Sequence, residues 1–173
     1  MSAETITTAI FLITAVVATA VLVNAIYPVI YTTAGTFQSS THDADTRLRT
    51  DFKIVATFAS GTTGYADIYM KNIGSQQISL EEIKNAEVFC GSTVGNRLTY
   101  QPIYSDPPEV RKWTVEILPS DNTNPTFWDT GETLHIKAYP DPVTTAKIVS
   151  GGTVYFQFIL SNGIWRSNEF TAS

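Results

Sequence analysis

The sequence predicts an α+β fold in which a long N-terminal hydrophobic helix is followed by an antiparallel Ig-like β-sandwich of about eight strands. Two observations lead to this prediction. No Asp, Glu, Lys or Arg occurs between Glu4 and Asp43, whereas charged side chains are frequent from Asp51 onward. From Asp51 the apolar residues also alternate with a period of two, in short runs separated by turn residues. The mean hydropathy of +0.02 therefore averages two segments, residues 1–50 and residues 51–173.

The apolar segment from Ile6 to Tyr31 is long enough to cross a membrane as a helix. It carries no charge, and at about 1.5 Å per residue it spans about 39 Å, more than a hydrocarbon core of about 30 Å. A cleaved signal peptide would need a basic start and a shorter apolar run, but the first residues are Met-Ser-Ala-Glu. We therefore expect a retained helix.

Threonines, alanines and one asparagine interrupt this segment. Small and hydroxyl side chains let helices approach closely, so the composition favours packing of helix on helix. The predicted assembly surface consists of Glu4, Ala9, Phe11, Ala15, Ala18, Leu22, Asn24 and Pro28. The alternative is that the hydroxyl groups only bond back to their own helix. Because proline lacks an amide N–H, we also expect a local loosening between Asn24 and Pro28.

The stretch after the apolar segment is polar but contains no Pro and no turn cluster apart from Gly35. Two interpretations remain, namely a helix that continues to about Thr50 and a flexible linker from Gly35 to Thr46. The nearest bases are Arg47 and Arg49, and the positive-inside rule would place the C-terminal domain in the cytoplasm. We discount this rule here because the bias is small and lies far from the apolar segment.

Short alternating runs separated by Gly, Pro and Asn predict the strands of the sandwich. They begin at Phe52 and continue at Tyr65–Asn72, Ala86–Cys90, Arg97–Tyr104, Lys112–Leu118, Glu132–Tyr139, Thr153–Leu160 and Ile164–Thr171.

One run predicts a contact surface as well as a core face. In Thr153–Leu160, one face is wholly apolar and is expected to lie in the core. The other face carries Tyr155 and Ile159, and Trp128 and Trp165 stand near strand ends. Contiguous exposed apolar residues mark contact sites, so these four residues are a predicted partner surface. The alternative is a fully covered sheet.

The sequence contains no recognisable catalytic or metal-binding pattern. His42 and His135 are the two histidines, and there is no His-x-x-His, Cys-x-x-Cys, Gly-x-Ser-x-Gly or phosphate-binding loop. We expect Cys90 to be buried rather than reactive, and Glu81 with Glu82 to be a solvated loop or strand-edge pair. A net charge of −5 offers no basic surface for nucleic acid. We therefore predict a chain that is not an enzyme and that takes no metal and no cofactor.

Several segments resemble proteins of the archaeal flagellum, the archaellum. The stretch Glu4-Thr-Ile-Thr-Thr-Ala-Ile-Phe-Leu-Ile resembles the N-terminal helices of the type IV pilin-like and archaellin superfamily. The stretch Arg47-Leu-Arg-Thr-Asp-Phe-Lys-Ile-Val resembles the helix-to-strand junction of the FlaG family of archaellum accessory proteins. Strand-turn elements shared by FlaG, FlaF and archaellin domains resemble Met70-Lys-Asn-Ile-Gly-Ser, Asp129-Thr-Gly-Glu-Thr-Leu and Ser161-Asn-Gly-Ile. The likeness covers nearly the whole chain.

The resemblance implies a structural subunit of the archaellum machinery that polymerises through its N-terminal helix, with residues 1–50 in a membrane or filament core. It implies a place in the archaeal cell envelope, an extracytoplasmic sandwich, and a role in anchoring the motor for swimming. The implied partners are further copies of the chain, other archaellum components and surface-layer protein. Glu4 would meet the amino terminus of a neighbour, or alternatively would complement its own helix dipole.

Two features that are missing from the sequence predict which member of the superfamily the chain represents. A basic leader and Asn-x-Ser/Thr acceptor sites, which archaellins often have, are missing from this sequence. This favours the FlaG-like accessory protein over an archaellin or pilin-like filament subunit. A monomeric membrane-anchored surface-binding module is the remaining alternative.

Overall fold

The N-terminal part of the chain is one uninterrupted helix. In a computed structural model, which describes residues 2–93, 103–106, 109–118, 126–140 and 147–173, helix α1 runs from Ser2 to Arg49. It continues through Pro28 and through the polar stretch after it. The linker interpretation is therefore wrong, because the polar stretch has neither Pro nor a turn cluster to end the helix.

The chain divides into two compact units, Met1–Asp45 and Thr46–Ser173. The last turn of α1 therefore belongs to the same unit as the strands. In the described residues this second unit contains ten strands and one short helix. They are β1 Phe52–Ser60, β2 Tyr65–Asn72, β3 Ile78–Ser79, α2 Leu80–Lys84, β4 Glu87–Ser92, β5 Ile103–Tyr104, β6 Lys112–Leu118, β7 Phe127–Trp128, β8 Thr133–Ala138, β9 Thr153–Ile159 and β10 Trp165–Thr171.

The strands form two larger sheets and one small one. The five-stranded sheet has the order β1-β2-β8-β6-β5, the three-stranded sheet has the order β10-β9-β4, and β3 pairs with β7. All pairs are antiparallel except β5 with β6, which is parallel. The predicted class, a long apolar helix followed by a sandwich-like arrangement of largely antiparallel sheets, is confirmed.

Seven of the predicted strands appear at or within two residues of their expected positions. The exception is Arg97–Tyr104, of which residues 97–102 lie outside the described residues and Ile103–Tyr104 form β5. The prediction of a loop or strand edge at Glu81 and Glu82 was wrong, because these residues belong to α2. The reason is a helix cap: the Ser79 hydroxyl accepts a hydrogen bond from the Glu82 amide at 3.1 Å.

The core lies between the two larger sheets and is built from the alternate residues of their strands. Phe52 of β1 contacts Phe158 of β9, with ring centroids 5.5 Å apart. The ring centroid of Trp113 of β6 lies 6.4 Å from that of Phe158. All three side chains are buried. The face of β9 that was predicted to be core is buried throughout, at Val154, Phe156, Phe158 and the following Leu160.

Candidate assembly and docking surfaces

Helix α1 exposes its apolar side chains on every side. The large apolar residues between Ile6 and Tyr31 are 45% to 77% exposed, and every residue from Ala3 to Asp45 is classed as exposed. A helix that is apolar all round is stable when lipid or other helices cover it. By length and composition, α1 is able to cross a membrane.

The predicted assembly residues fall on two sides of α1. At about 3.6 residues per turn, side chains separated by three, four or seven positions share a face. One face, which we call the small-residue face, therefore contains Glu4, Phe11, Ala15, Ala18 and Leu22. The other three predicted residues, Ala9, Asn24 and Pro28, lie on the far side of the helix. No single neighbouring helix would contact all eight.

The threonine hydroxyl groups of the apolar segment from Ile6 to Tyr31 are satisfied within the helix. Thr7, Thr8, Thr14 and Thr19 each donate to the carbonyl oxygen four residues earlier, at 2.8 to 2.9 Å. These hydroxyl groups bond back to their own helix, which is the alternative stated above. Close packing of a neighbouring helix at these positions would therefore depend on the small size of the threonine side chain. Among the described residues, no hydrogen bond forms to the side chain of Asn24.

Three of the four residues of the predicted partner surface lie on one sheet face. In the three-stranded sheet Trp165 is the Cα partner of Ile159, and Glu169 is the partner of Tyr155, so their side chains point to the outer face. Trp165 is 52% exposed, whereas Tyr155 and Ile159 are half-buried. The Tyr155 hydroxyl donates to Gln157 Oε1 at 3.0 Å.

The fourth residue, Trp128, does not belong to this surface. Its side chain is fully buried, and its ring centroid lies 5.9 Å from that of Phe52. The indole Nε1 donates to the carbonyl oxygen of Glu132 at 3.0 Å. The prediction of exposure was wrong because β7, which is only two residues long, pairs with Ile78 and Ser79 and so carries the ring into the core.

A loop at residues 73–76 holds the end of α1 in the sandwich unit. The carbonyl oxygen of Arg49 accepts from the amides of Ser75 at 2.9 Å and Gln76 at 3.1 Å. That of Asp51 accepts from Ile73 at 3.0 Å and Gly74 at 2.8 Å. Two of these four backbone bonds satisfy the Arg49 carbonyl, which the helix end would otherwise leave unpaired, and the other two hold the residue that leads into β1.

Gly74 and Asn72 give this loop its shape. A Cβ at Gly74 would overlap the carbonyl oxygen of Arg49, so only glycine allows the close approach. The buried amide of Asn72 donates to the carbonyls of Gln76 and Trp128 and accepts from the amide of Gly74. The sequence contained the segments Arg47-Leu-Arg-Thr-Asp and Met70-Lys-Asn-Ile-Gly-Ser, but nothing in it showed that they bond to each other.

A cleft of about 620 Å³ is formed by the last turn of α1 and the residues around the start of β10. We call it the Arg47 cleft, and its lining consists of Arg47, Gly163, Ile164, Trp165, Arg166 and Ser167. Arg47 Nε donates to the carbonyl oxygen of Asn162 at 2.7 Å. Arg166 pairs with Asp51 at 2.5 Å, and its guanidinium lies 5.7 Å from the centre of the Phe52 ring. Sequence reasoning named Trp165 but missed both arginines.

The titratable groups of the sandwich form structural contacts. His135 Nε2 lies 2.8 Å from Asp67 Oδ1, and the His135 ring stacks on Tyr69 with centroids 4.5 Å apart. Cys90 is buried as predicted, and burial raises the pKa of its thiol to about 12. Within the described ranges, no three His, Cys, Asp or Glu side chains group as metal ligands would.

The described chain thus consists of an exposed apolar helix followed by a β-sandwich. The family model of archaeal-type flagellin matches residues 2–170, so the chain belongs to the archaeal-type flagellin family. Its fold is FlaG-like or archaellin-like, and membership of this family fits a structural role in the archaellum.

Other comparisons agree with this family. An uncharacterized protein of Archaeoglobus fulgidus is 24% identical over 172 residues, which are 98% of each chain. The archaellum periplasmic stator protein FlaG from Sulfolobus acidocaldarius is similar in structure, with a TM-score of 0.52 and 20% identity over 70% of this chain and 99% of that one. The archaeal flagellum of Methanospirillum hungatei gives a TM-score of 0.61 and 15% identity over 95% of this chain and 91% of that one.

Proposed function

We propose that this chain is a FlaG-like, non-enzymatic subunit that polymerises through α1 and anchors the archaellum motor in the archaeal cell envelope, with the sandwich outside the membrane. The exposure of every large apolar side chain between Ile6 and Tyr31 is the observation that supports this best. Burying one such side chain is worth about 1.5–3 kcal/mol, so a helix that exposes this many requires lipid or other helices around it.

The small side chains of α1 support neighbouring helices over lipid alone. Ala15 and Ala18 lie next to each other on the small-residue face. Alanine lets two helix backbones approach closely, which contact with lipid does not require.

The partners of the proposed subunit are further copies of itself, other archaellum components and surface-layer protein. The structure of a periplasmic stator complex of FlaF and FlaG from Sulfolobus acidocaldarius supports association with other components, because it is similar to this chain with a TM-score of 0.51. The outer face with Tyr155, Ile159 and Trp165 is the part of the sandwich that we propose for these contacts.

A substitution on the small-residue face tests polymerisation. Replacing Ala15 and Ala18 by Leu should weaken self-association of the full chain in detergent, because the larger side chains hold the helices apart and form no hydrogen bond between helices. The matched control is Ala20→Leu, on the far side of the same helix and outside the predicted assembly residues. Equal self-association of both variants and the wild type would favour a monomeric membrane-anchored module, in which α1 is only a tether.

A major filament subunit is the second candidate. The likeness to the Methanospirillum hungatei flagellum favours it, because it covers 95% of this chain, including α1. Fractionating cells into envelope and sheared surface filaments separates the two roles. A FlaG-like component should remain with the envelope in small amounts, whereas an archaellin should be the dominant protein of the sheared filaments. N-terminal sequencing of each fraction identifies the form of the chain in it.

A further inference from the structure

The positive charge of the Arg47 cleft has no ion-pair partner among the described residues. The Arg47 guanidinium donates from Nε to the Asn162 carbonyl at 2.7 Å, and its Nη2 lies close to Gly163. No carboxylate of the described residues lies within ion-pair distance of this guanidinium. Arg166, on the same wall, has Asp51 as its partner. The Nη groups of Arg47 are therefore available to a carboxylate from outside the chain.

The residues around Arg47 are of the types that carry binding energy in protein interfaces. Trp165 is 52% exposed at the edge of the cleft, and Ser167 adds a hydroxyl group. Exposed tryptophan beside arginine is typical of interface hot spots. A cleft of about 620 Å³ admits a short acidic side chain with its neighbours.

The charge distribution of the chain indicates which carboxylate would bind there. All 11 Lys and Arg residues lie at or beyond Arg47, and the unit Met1–Asp45 contains Glu4, Asp43 and Asp45 with no Lys or Arg. Asp43 is exposed on α1, and no ion pair of Asp43 occurs among the described residues. The acidic segment of one copy therefore complements the basic cleft of another.

Parallel packing of helices would bring these two groups to the same level. If neighbouring copies are offset by four residues, or about 6 Å along the axis, Asp43 of one copy lies beside Arg47 of the next. We infer that the Arg47 cleft binds the Asp43 carboxylate of a second copy of this chain and thereby fixes the axial offset between adjacent helices. This inference rests on the proposed assembly through α1.

Charge reversal tests the contact. Arg47→Glu and Asp43→Arg should each raise the concentration at which the full chain assembles by about tenfold at low ionic strength, since each places like charges together. Sedimentation of assembled protein measures this concentration. Lys71→Glu is the matched control, because it changes the charge equally at an exposed position of β2 and should leave assembly unchanged.

Mixing the two single variants separates contacts between chains from contacts within one helix, where residues 43 and 47 are also one turn apart. In an equimolar mixture each reversed group can meet an opposite charge on a neighbour, so assembly should return to within about twofold of the wild type. This recovery also shows that both variants fold. No recovery, or an effect of Arg47→Glu no larger than that of Lys71→Glu, would overturn the inference and leave the proposed function standing. A wild-type chain that does not assemble would overturn both.

Discussion

Asn72→Ala tests how strongly one buried amide stabilises the loop at the end of α1. The Asn72 side chain is fully buried and makes three hydrogen bonds. Its Nδ2 donates to the carbonyls of Gln76 at 2.9 Å and Trp128 at 3.0 Å, and its Oδ1 accepts from the Gly74 amide at 3.0 Å. Alanine would leave the carbonyl oxygens of Gln76 and Trp128 without this donor, whereas the Gly74 amide would keep its bond to the Asp51 carbonyl at 2.8 Å.

The expected loss follows from these two carbonyl groups. A buried polar group that loses its partner costs about 1–3 kcal/mol, and loop groups that can turn toward water fall at the low end. The sum is about 2 kcal/mol at roughly 1 kcal/mol per group. With a urea dependence of about 1–3 kcal/mol per molar, the unfolding midpoint should fall by about 0.7–2 M.

Urea unfolding of the full chain in detergent, followed by tryptophan fluorescence, measures this loss because Trp113 and Trp128 are buried. Asn168→Ala is the matched control. Its amide is exposed and makes one long bond of 3.4 Å to Thr57, so its removal should cost less than about 0.5 kcal/mol. Equal midpoints for the two alanine variants would refute the assignment of Asn72 as the residue that organises this loop.

Three further outcomes can be measured on the same chain. Gly74→Ala should destabilise the sandwich by more than about 3 kcal/mol in urea unfolding, because the added Cβ would overlap the Arg49 carbonyl. Gly35→Ala has open space around it and should stabilise α1 by about 1 kcal/mol, measured by thermal melts followed by circular dichroism. Trp128→Ala should cost about 3–5 kcal/mol and Trp165→Ala less than about 1 kcal/mol, and a reversed order would contradict their burial. Burial raises the pKa of Cys90 from 9.0 to about 12, so the folded chain keeps this proton at a pH where the unfolded chain loses it. Above about pH 9 the free energy of unfolding of the wild type should therefore fall more steeply than that of Cys90→Ala, by at most about 1.4 kcal/mol per pH unit. Parallel pH profiles of the two proteins would exclude this linkage.

The helix and the strands were predictable because local patterns specify them. The absence of charge up to Asp43 predicts the apolar part of α1, and alternation predicts the core face of β9. The cap at Ser79 was also readable, since a serine with a glutamate three residues later marks a helix start. It was missed because the two adjacent acids drew the interpretation toward a loop.

The contacts of the sandwich were not predictable because they join residues that are distant in sequence. Trp128 is buried because β7 pairs with β3, and a strand of two residues has no local sequence pattern that predicts such a pairing. The parallel pairing of β5 with β6 is hidden for the same reason. The backbone amides of Ser75 and Gln76 donate to the Arg49 carbonyl. Because nearly every residue has a backbone amide, the sequence does not predict these bonds.

The role of α1 in assembly has one direct test, which compares the full chain with a chain that begins at residue 36. After removal of detergent, both are examined by sedimentation and electron microscopy. We expect filaments or large oligomers from the full chain, and a folded, monodisperse sandwich from the shorter one, because the shorter chain lacks the apolar surface of α1 between Ile6 and Tyr31. Filaments formed by the shorter chain would contradict the role of α1 in assembly.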